Sequence, residues 1–263
     1  MTKAAAFITG GSSGIGLALA RQLAGRGHPV ALFARDPERL QQAKAAIEAG
    51  VAGARVFTFA VDVSDADGCQ QAVSRAIDAA GPPGWAIASA GVAEPGAFAT
   101  QALAAHEAQM QVNYFGALYF ARACVPAMPG GKLIFVASGA AFFGIYGYSA
   151  YAPSKFAVRG LAEVLRVELA PRGISVVLAY PPDTETPQLA QEAETKPDIT
   201  RKITSGGGVK QPADVARAIL NAADKGRFAV APGLQMTLLL WLHSVIAPLL
   251  RLWQGRIVKH SRG

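Results

Sequence analysis

The chain has 263 residues, 51% of them hydrophobic and only 16% charged, which allows one large core and excludes a disordered chain. Its two cysteines, Cys69 and Cys124, exclude a disulfide framework and a paired-cysteine metal site, and fit a reducing, cytosol-facing compartment. The net charge is +7, but Lys225, Arg227, Arg251, Arg256, Lys259 and Arg262 carry six of those charges with no Asp or Glu between residues 225 and 263, so the body is nearly neutral and a nucleic-acid-binding face spread over it is excluded.

The apolar run at the amino terminus is too short for a signal peptide and reads as a strand over 4–9. It leads into Thr9-Gly10-Gly11-Ser12-Ser13-Gly14-Ile15-Gly16 and a helix over 14–27. Glycines let the backbone turn tightly against a pyrophosphate, and free N–H groups at a helix start favour its charge. Gly10, Ser12, Ser13, Gly14, Ile15 and Gly16 are therefore expected at a dinucleotide, with a purely structural turn as the alternative. The spacing is G-x-x-x-G-x-G rather than the commoner G-x-G-x-x-G.

The second strand, 29–34, ends at Ala34 with Arg35 next. An acidic residue at this tip would hold a ribose diol. A guanidinium pairs instead with a 2′-phosphate, so Arg35 points to NADP, and a solvated surface arginine is the plain alternative. Asp36 before Pro37 reads as the N-cap of a helix over 37–50. A third strand over 56–61 runs into Asp62-Val63. Asp62 there either meets an adenine amino group or caps the helix over 65–80.

Strands over 86–89, 132–137, 175–179 and 228–231 follow, alternating with helices over 103–125, 151–171 and 212–225. The strands are continuous apolar runs, so helices should cover both sheet faces, and the alternation gives parallel strands with right-handed crossovers. The expected fold is α/β: a doubly wound, Rossmann-like parallel sheet of about seven strands over residues 1–232. Residues 182–210 are polar, rich in Pro, Thr and Gly, and follow a strand's carboxyl end. They read as a lid over the substrate, with a disordered segment as the alternative.

Residues 233–263 form an apolar, basic extension. Trp241 and Trp253 suit a headgroup interface, and Arg251, Arg256 and Lys259 suit anionic lipid. Gln235, Thr237, His243, Ser244 and Pro248 argue against a full span. The segment is expected to be an interfacial helix or monotopic hairpin. A homo-oligomer contact or substrate-channel cover, and a true span, are the other readings. His243 has no second ligand at metal-binding spacing, so no metal is expected.

Tyr151-Ala-Pro-Ser-Lys155 puts a phenol and an ammonium four residues apart, on one face of a helix. A cation beside a phenol stabilises phenolate and lowers its pKa toward a range useful for proton transfer. Ser138 lies thirteen residues upstream, just past the strand over 132–137, where its hydroxyl can hold a substrate oxygen.

With the glycine turn, Asn113 in Val-Asn-Tyr-Phe-Gly, Ser138, Tyr151 and Lys155 in this order, residues 3–231 resemble the classical short-chain dehydrogenase/reductase family. The resemblance implies that Tyr151 is the general acid for carbonyl reduction, or the base in reverse. Lys155 would bind the nicotinamide ribose and lower the tyrosine pKa. Ser138 would orient the carbonyl, and Asn113 would help hold a proton-relay water. Cofactor contacts are implied at Asp62, Val63, Ala90, Gly91, Pro181, Thr184 and Thr186, the last at the nicotinamide carboxamide. Two departures stand out: Ala88-Ser89-Ala90-Gly91 replaces the family's NNAG, and Pro182 replaces the glycine of its PGxxxT segment.

A narrower resemblance rests on Ala179-Tyr-Pro-Pro-Asp-Thr-Glu-Thr-Pro187, Thr195-Lys-Pro197, Lys210-Gln-Pro212, Ser154-Lys-Phe-Ala-Val-Arg-Gly-Leu-Ala-Glu163 and Arg256-Ile-Val-Lys259. These segments are similar to the 3-ketodihydrosphingosine reductase branch of the family. That implies NADPH-dependent reduction of the 3-keto group of a long-chain sphingoid base at the cytoplasmic face of a membrane. Another lipophilic ketone or alcohol, such as a steroid, retinoid, ketoacyl or ketoceramide compound, is the alternative substrate. A non-catalytic nucleotide-binding scaffold is the remote one.

Overall fold

The computed structural model describes residues 3–204 and 208–260. Arg262 of the basic tail and residues 205–207 of the expected lid lie outside that set. The first half of the chain alternates β1 (Ala5–Thr9), α1 (Gly14–Gly25), β2 (Val30–Ala34), α2 (Pro37–Gly50), β3 (Val56–Ala60), α3 (Ala66–Ala80) and β4 (Pro83–Ala88). Then come α4 (Leu103–Met110), α5 (Gly116–Cys124), β5 (Gly131–Val136), α6 (Tyr151–Glu168), β6 (Ile174–Ala179), α7 (Pro187–Thr195), α8 (Asp198–Thr204), α9 (Pro212–Asp224), β7 (Ala229–Val230) and α10 (Leu234–His260). The seven strands pair in parallel in the order β3-β2-β1-β4-β5-β6-β7, the doubly wound sheet expected from the alternation.

Side-chain alternation divides the interior into two layers. Phe7, Phe33, Leu133 and Phe135 pack on one face with Val73, Phe120, Val158 and Ala162 of α3, α5 and α6. Ile8, Leu32, Ile87 and Ile134 pack on the other with Leu19, Leu23, Ile47, Val215 and Ile219 of α1, α2 and α9. Both faces are dry, which is why the strands read as unbroken apolar runs.

Four expectations change in detail. β4 starts at Pro83 rather than residue 86, because Pro83 opens the strand opposite Ala5, a position that needs no ladder N–H. The helix expected over 103–125 is interrupted by a π-turn at Gln111–Phe115. The expected lid contains the short helices α7 and α8, and its ends are tied together where Thr184 bridges to Lys210. The tail is a single 27-residue helix that continues through Pro248, so the hairpin form is not adopted. By length and composition α10 could cross a membrane, yet Met236 packs into the first core layer. Gln254 accepts from Tyr146 N at 3.2 Å and donates to Gly144 O at 3.0 Å.

Candidate active site

The strand order reverses between β1 and β4, so the connections after these strands diverge and leave a crevice at their carboxyl ends. A cavity of about 1270 Å³ opens there. Gly10, Ser12, Ser13, Gly14, Ile15 and Gly16 line it from the β1–α1 turn. Gly14 has φ +53°, and a Cβ on it would lie 2.9 Å from Thr186 Cγ2, while a Cβ on Gly16 would lie 2.3 Å from Gly10 O. Only glycine fits either place. Ser13 precedes α1 in an extended conformation and makes no side-chain cap bond, so the first N–H groups of α1 face the cavity without an internal cap. That open helix start fits a pyrophosphate.

At the far end, Arg35 is exposed at the β2 tip and lines the cavity with Arg39. Asp36 caps α2, its Oδ1 accepting from Glu38 N at 2.9 Å and Arg39 N at 3.1 Å. Asp62 does not cap α3; Asp65 does. Asp62 Oδ1 instead accepts from Ser64 N at 2.9 Å and Ser64 Oγ at 2.6 Å. Burial pushes its carboxyl up, but the Ser64 bonds and the Arg35 charge win and hold it below the ordinary range. Val63 is buried under Gly116, where a Cβ would come within 2.7 Å of it. Thr9 Oγ1 accepts from Ser89 N and Ala90 N, both at 3.1 Å, so β1 itself fixes the loop where the family's asparagine is missing.

The reacting groups meet in the middle of the crevice. Ser138 follows β5, and Tyr151 and Lys155 lie on the first turns of α6. Ser138 and Gln188 line the cavity beside Tyr151, and both favour its phenolate. Lys155 Nζ donates to Val136 O at 3.1 Å and lies 5.6 Å from the centre of the Tyr151 ring. Asn113, on the π-turn, donates to Val92 O and Ser154 Oγ at 2.9 Å each and accepts from Val92 N at 2.8 Å. A Cβ on Gly91 would lie 3.1 Å from Asn113 Oδ1 and 3.3 Å from Lys155 Nζ, so glycine is what lets both approach. Pro181, Thr184 and Thr186 close the crevice from the lid side. Thr184 Oγ1 donates to Pro182 O at 2.8 Å, and Thr186 Oγ1 caps α7 by accepting from Leu189 N at 3.2 Å.

Burial dominates the electrostatics of the site. Burial, and then the Glu192 carboxylate, hold the Tyr151 phenol well above its ordinary pKa, with Ser138 only partly offsetting them. Burial acts on Lys155 in the opposite sense and lowers it to about 8. The phenol is thus protonated throughout the physiological range.

Two further sets of residues line the cavity, and the tail's share matches the substrate-channel cover among the readings of that segment. The lid contributes Gln188 and Glu192. The tail helix contributes Met236, Leu239, Ile246 and Leu250, so one void runs from the nucleotide turn to an apolar roof. The Glu192–Lys196 pair, four residues apart, was the one available signal, and that spacing is equally common on solvated helix faces.

Residues 4–197 match the model of the short chain dehydrogenase family. The 3-dehydrosphinganine reductase of Danio rerio and the 3-ketodihydrosphingosine reductase of Mus musculus are each 37% identical over 94% of this chain and 76% of their own length. A 3-dehydrosphinganine reductase of Arabidopsis thaliana is 39% identical over 85% of this chain and 68% of its own. Among solved structures, the NADPH-bound form of a Pseudomonas aeruginosa PAO1 short chain oxidoreductase, described as having an atypical catalytic center, superposes with a TM-score of 0.79. It is 28% identical, covering 89% of this chain and 97% of that one. A Sphingobium yanoikuyae short-chain dehydrogenase in complex with NADPH gives a TM-score of 0.77 at 26% identity, covering 90% of each chain.

Proposed function

The chain belongs to the short chain dehydrogenase family, and from that premise we propose that it reduces the 3-keto group of a long-chain sphingoid base to the alcohol with NADPH. The observation that carries this reading is the single cavity that joins Ser138 and Tyr151 to the apolar residues of α10. It offers polar groups for a ketone and an oily wall for an alkyl chain, and the relatives named above are reductases of such a ketone.

The nicotinamide cofactor supplies a hydride to the carbonyl carbon. The open start of α1 and the turn at residues 10–16 would hold its pyrophosphate, and Arg35 and Arg39 would pair with its 2′-phosphate. Asp62, Val63, Ala90 and Gly91 line its adenosine half and the passage to the ribose. Pro181, Thr184 and Thr186 would hold the nicotinamide end. Ser138 donates a hydrogen bond to the ketone oxygen, and Tyr151 gives that oxygen its phenol proton. Lys155, fixed by Val136 O, presents its charge to the ribose and to the phenolate left behind. Asn113 keeps the π-turn and the loop at Val92 in register beside them.

The tail helix works as an interfacial element on the cytoplasmic face of a membrane. Leu234, Leu238, Trp241, Val245, Leu249 and Leu252 are exposed at spacings of three and four residues, one stripe of the helix. Arg251, Arg256 and Lys259 adjoin it, and the two cysteines are free and buried.

The test is oxidation of NADPH and of NADH by the purified chain with 3-ketosphinganine and with a ketosteroid panel. Turnover of the sphingoid ketone, with NADPH preferred, is expected. Arg35→Ala should cut that preference by about tenfold or more, the worth of a charge-assisted pair. Turnover of ketosteroids alone, or equal use of both cofactors by the unaltered chain, overturns the corresponding part of the proposal.

A further inference from the structure

The ketone of the proposed substrate is flanked by a carbon that bears an ammonium, and α7 brings a carboxylate to that side of the crevice. Glu192 is 6% exposed and lines the same cavity as Ser138 and Tyr151. Its Oε2 accepts from the Tyr148 hydroxyl at 3.2 Å and faces Lys196 Nζ at 3.5 Å. Its Oε1 takes no hydrogen bond among the described residues. No buried side-chain oxygen lacks a partner among the described residues, so Oε1 opens onto the cavity, where it can accept from a ligand. Lys196 pairs with the Oε2 side of the carboxylate, its ammonium 3.5 Å from Oε2 and 5.7 Å from the centre of the Tyr148 ring. Glu192 is also the foremost charge felt at Tyr151, and it acts on Lys155 as well. Tyr148, whose hydroxyl donates to this carboxylate, has its ring centre 5.5 Å from that of Tyr151, so Glu192 sits beside the reacting groups.

We infer that Glu192 Oε1 receives the 2-ammonium of the sphingoid ketone and thereby presents the neighbouring carbonyl to Ser138 and Tyr151. The inference rests on the substrate reading above and narrows it to the free base. An N-acylated ketone carries a neutral amide nitrogen at that position and offers the carboxylate no charge beyond that of Lys196. Burial pushes the Glu192 carboxyl up and Lys196 pulls it back; an arriving ammonium favours the ionised form further. Glu192 is a specificity and positioning residue, since it touches substrate away from the bonds that change.

The experiment compares kcat/KM of the full chain, with NADPH, for 3-ketosphinganine, for its N-acetyl derivative and for the 2-desamino ketone of the same length. The unaltered protein should prefer the amine over the desamino ketone by about tenfold to a hundredfold, the range of a charge-assisted bond. Glu192→Gln should erase most of that ratio, chiefly through the KM for the amine, and Glu192→Asp should restore part of it. A ratio unchanged in Glu192→Gln overturns the inference, whatever the variant does to the rates themselves. Turnover of all three ketones by the unaltered protein without preference also overturns it, and leaves the reductase reading standing. Turnover of none overturns both. Should Glu192→Gln fail to fold, the unaltered protein and Glu192→Asp decide the matter.

Discussion

Tyr151 and Lys155 occupy one helix face, and burial acts on them in opposite senses: the phenol goes up and the ammonium comes down to about 8. In the direction of reduction the phenol must carry its proton and the lysine its charge. Below about pH 8 both conditions hold. Above it Lys155 loses its charge while Tyr151 stays protonated, so the lysine sets the basic limb. kcat/KM for the ketone is expected to fall as pH rises through about 8, as a pH profile at saturating NADPH would record. A flat profile to pH 10 would exclude Lys155 as the controlling group. Tyr151→Phe removes the proton donor without disturbing the lysine's bond to Val136 O. It should lower kcat by about 10² to 10⁴-fold and leave NADPH affinity, measured by fluorescence titration, nearly unchanged. These two residues were legible because their relation is local: four positions on one helix. The direction of the phenol's shift was not, because it depends on burial and on Glu192, which comes from a different element forty-one residues later.

Elements matter here chiefly where they depart from regularity. Residues 103–125 carry ordinary helical periodicity, and nothing in their composition marks the π-turn at Gln111–Phe115. Asn113 explains it: the wider turn lets one buried amide reach Val92 N, Val92 O and Ser154 Oγ together, and π-turns of this kind gather at functional sites. Asn113→Ala would strand those three groups at a position 1% exposed. A loss of about 3 kcal/mol in unfolding free energy is expected from urea denaturation, with a fall in kcat as the loop at Val92 drifts. A stability change below about 0.5 kcal/mol would mean that the network closes without it. The lid was read as a loop for the converse reason. α7 and α8 are short and polar, and their order comes from tertiary contacts, Thr200 Oγ1 to Tyr146 O at 2.8 Å and Tyr148 to Glu192. The doubly wound sheet was legible because the central strands β1, β2, β5 and β6 are buried almost throughout and read as apolar runs.

At the scale of the whole molecule, the tail helix belongs to two environments at once. One side is held by Met236, by Gln254 and by His243, which lies 5.3 Å from the Phe142 ring and within 3.4 Å of Arg159 Nη1. The other side leaves Trp241 76% and Val245 72% exposed, far more apolar surface than a solvated helix usually shows. Composition revealed the apolar length and the cations; it could not reveal that Ile246 and Leu250 look inward onto the cavity, since helix phase relative to the body is fixed only by packing. The two core layers draw almost entirely on β1 to α9, so a chain ending at Gly233 should retain a folded, NADPH-binding body. The cavity would then lose its apolar roof, and the surface would lose the exposed stripe together with the cations near it, each worth about 1 kcal/mol at an anionic bilayer. The truncated chain is therefore expected to reduce a short, water-soluble ketone, to lose most turnover of the long-chain ketone, and to stop co-sedimenting with phosphatidylserine-containing vesicles. Vesicle binding and long-chain turnover equal to those of the full chain would instead make the stripe a contact between copies of the protein, and a truncated chain that fails to bind NADPH would make α10 part of the fold itself.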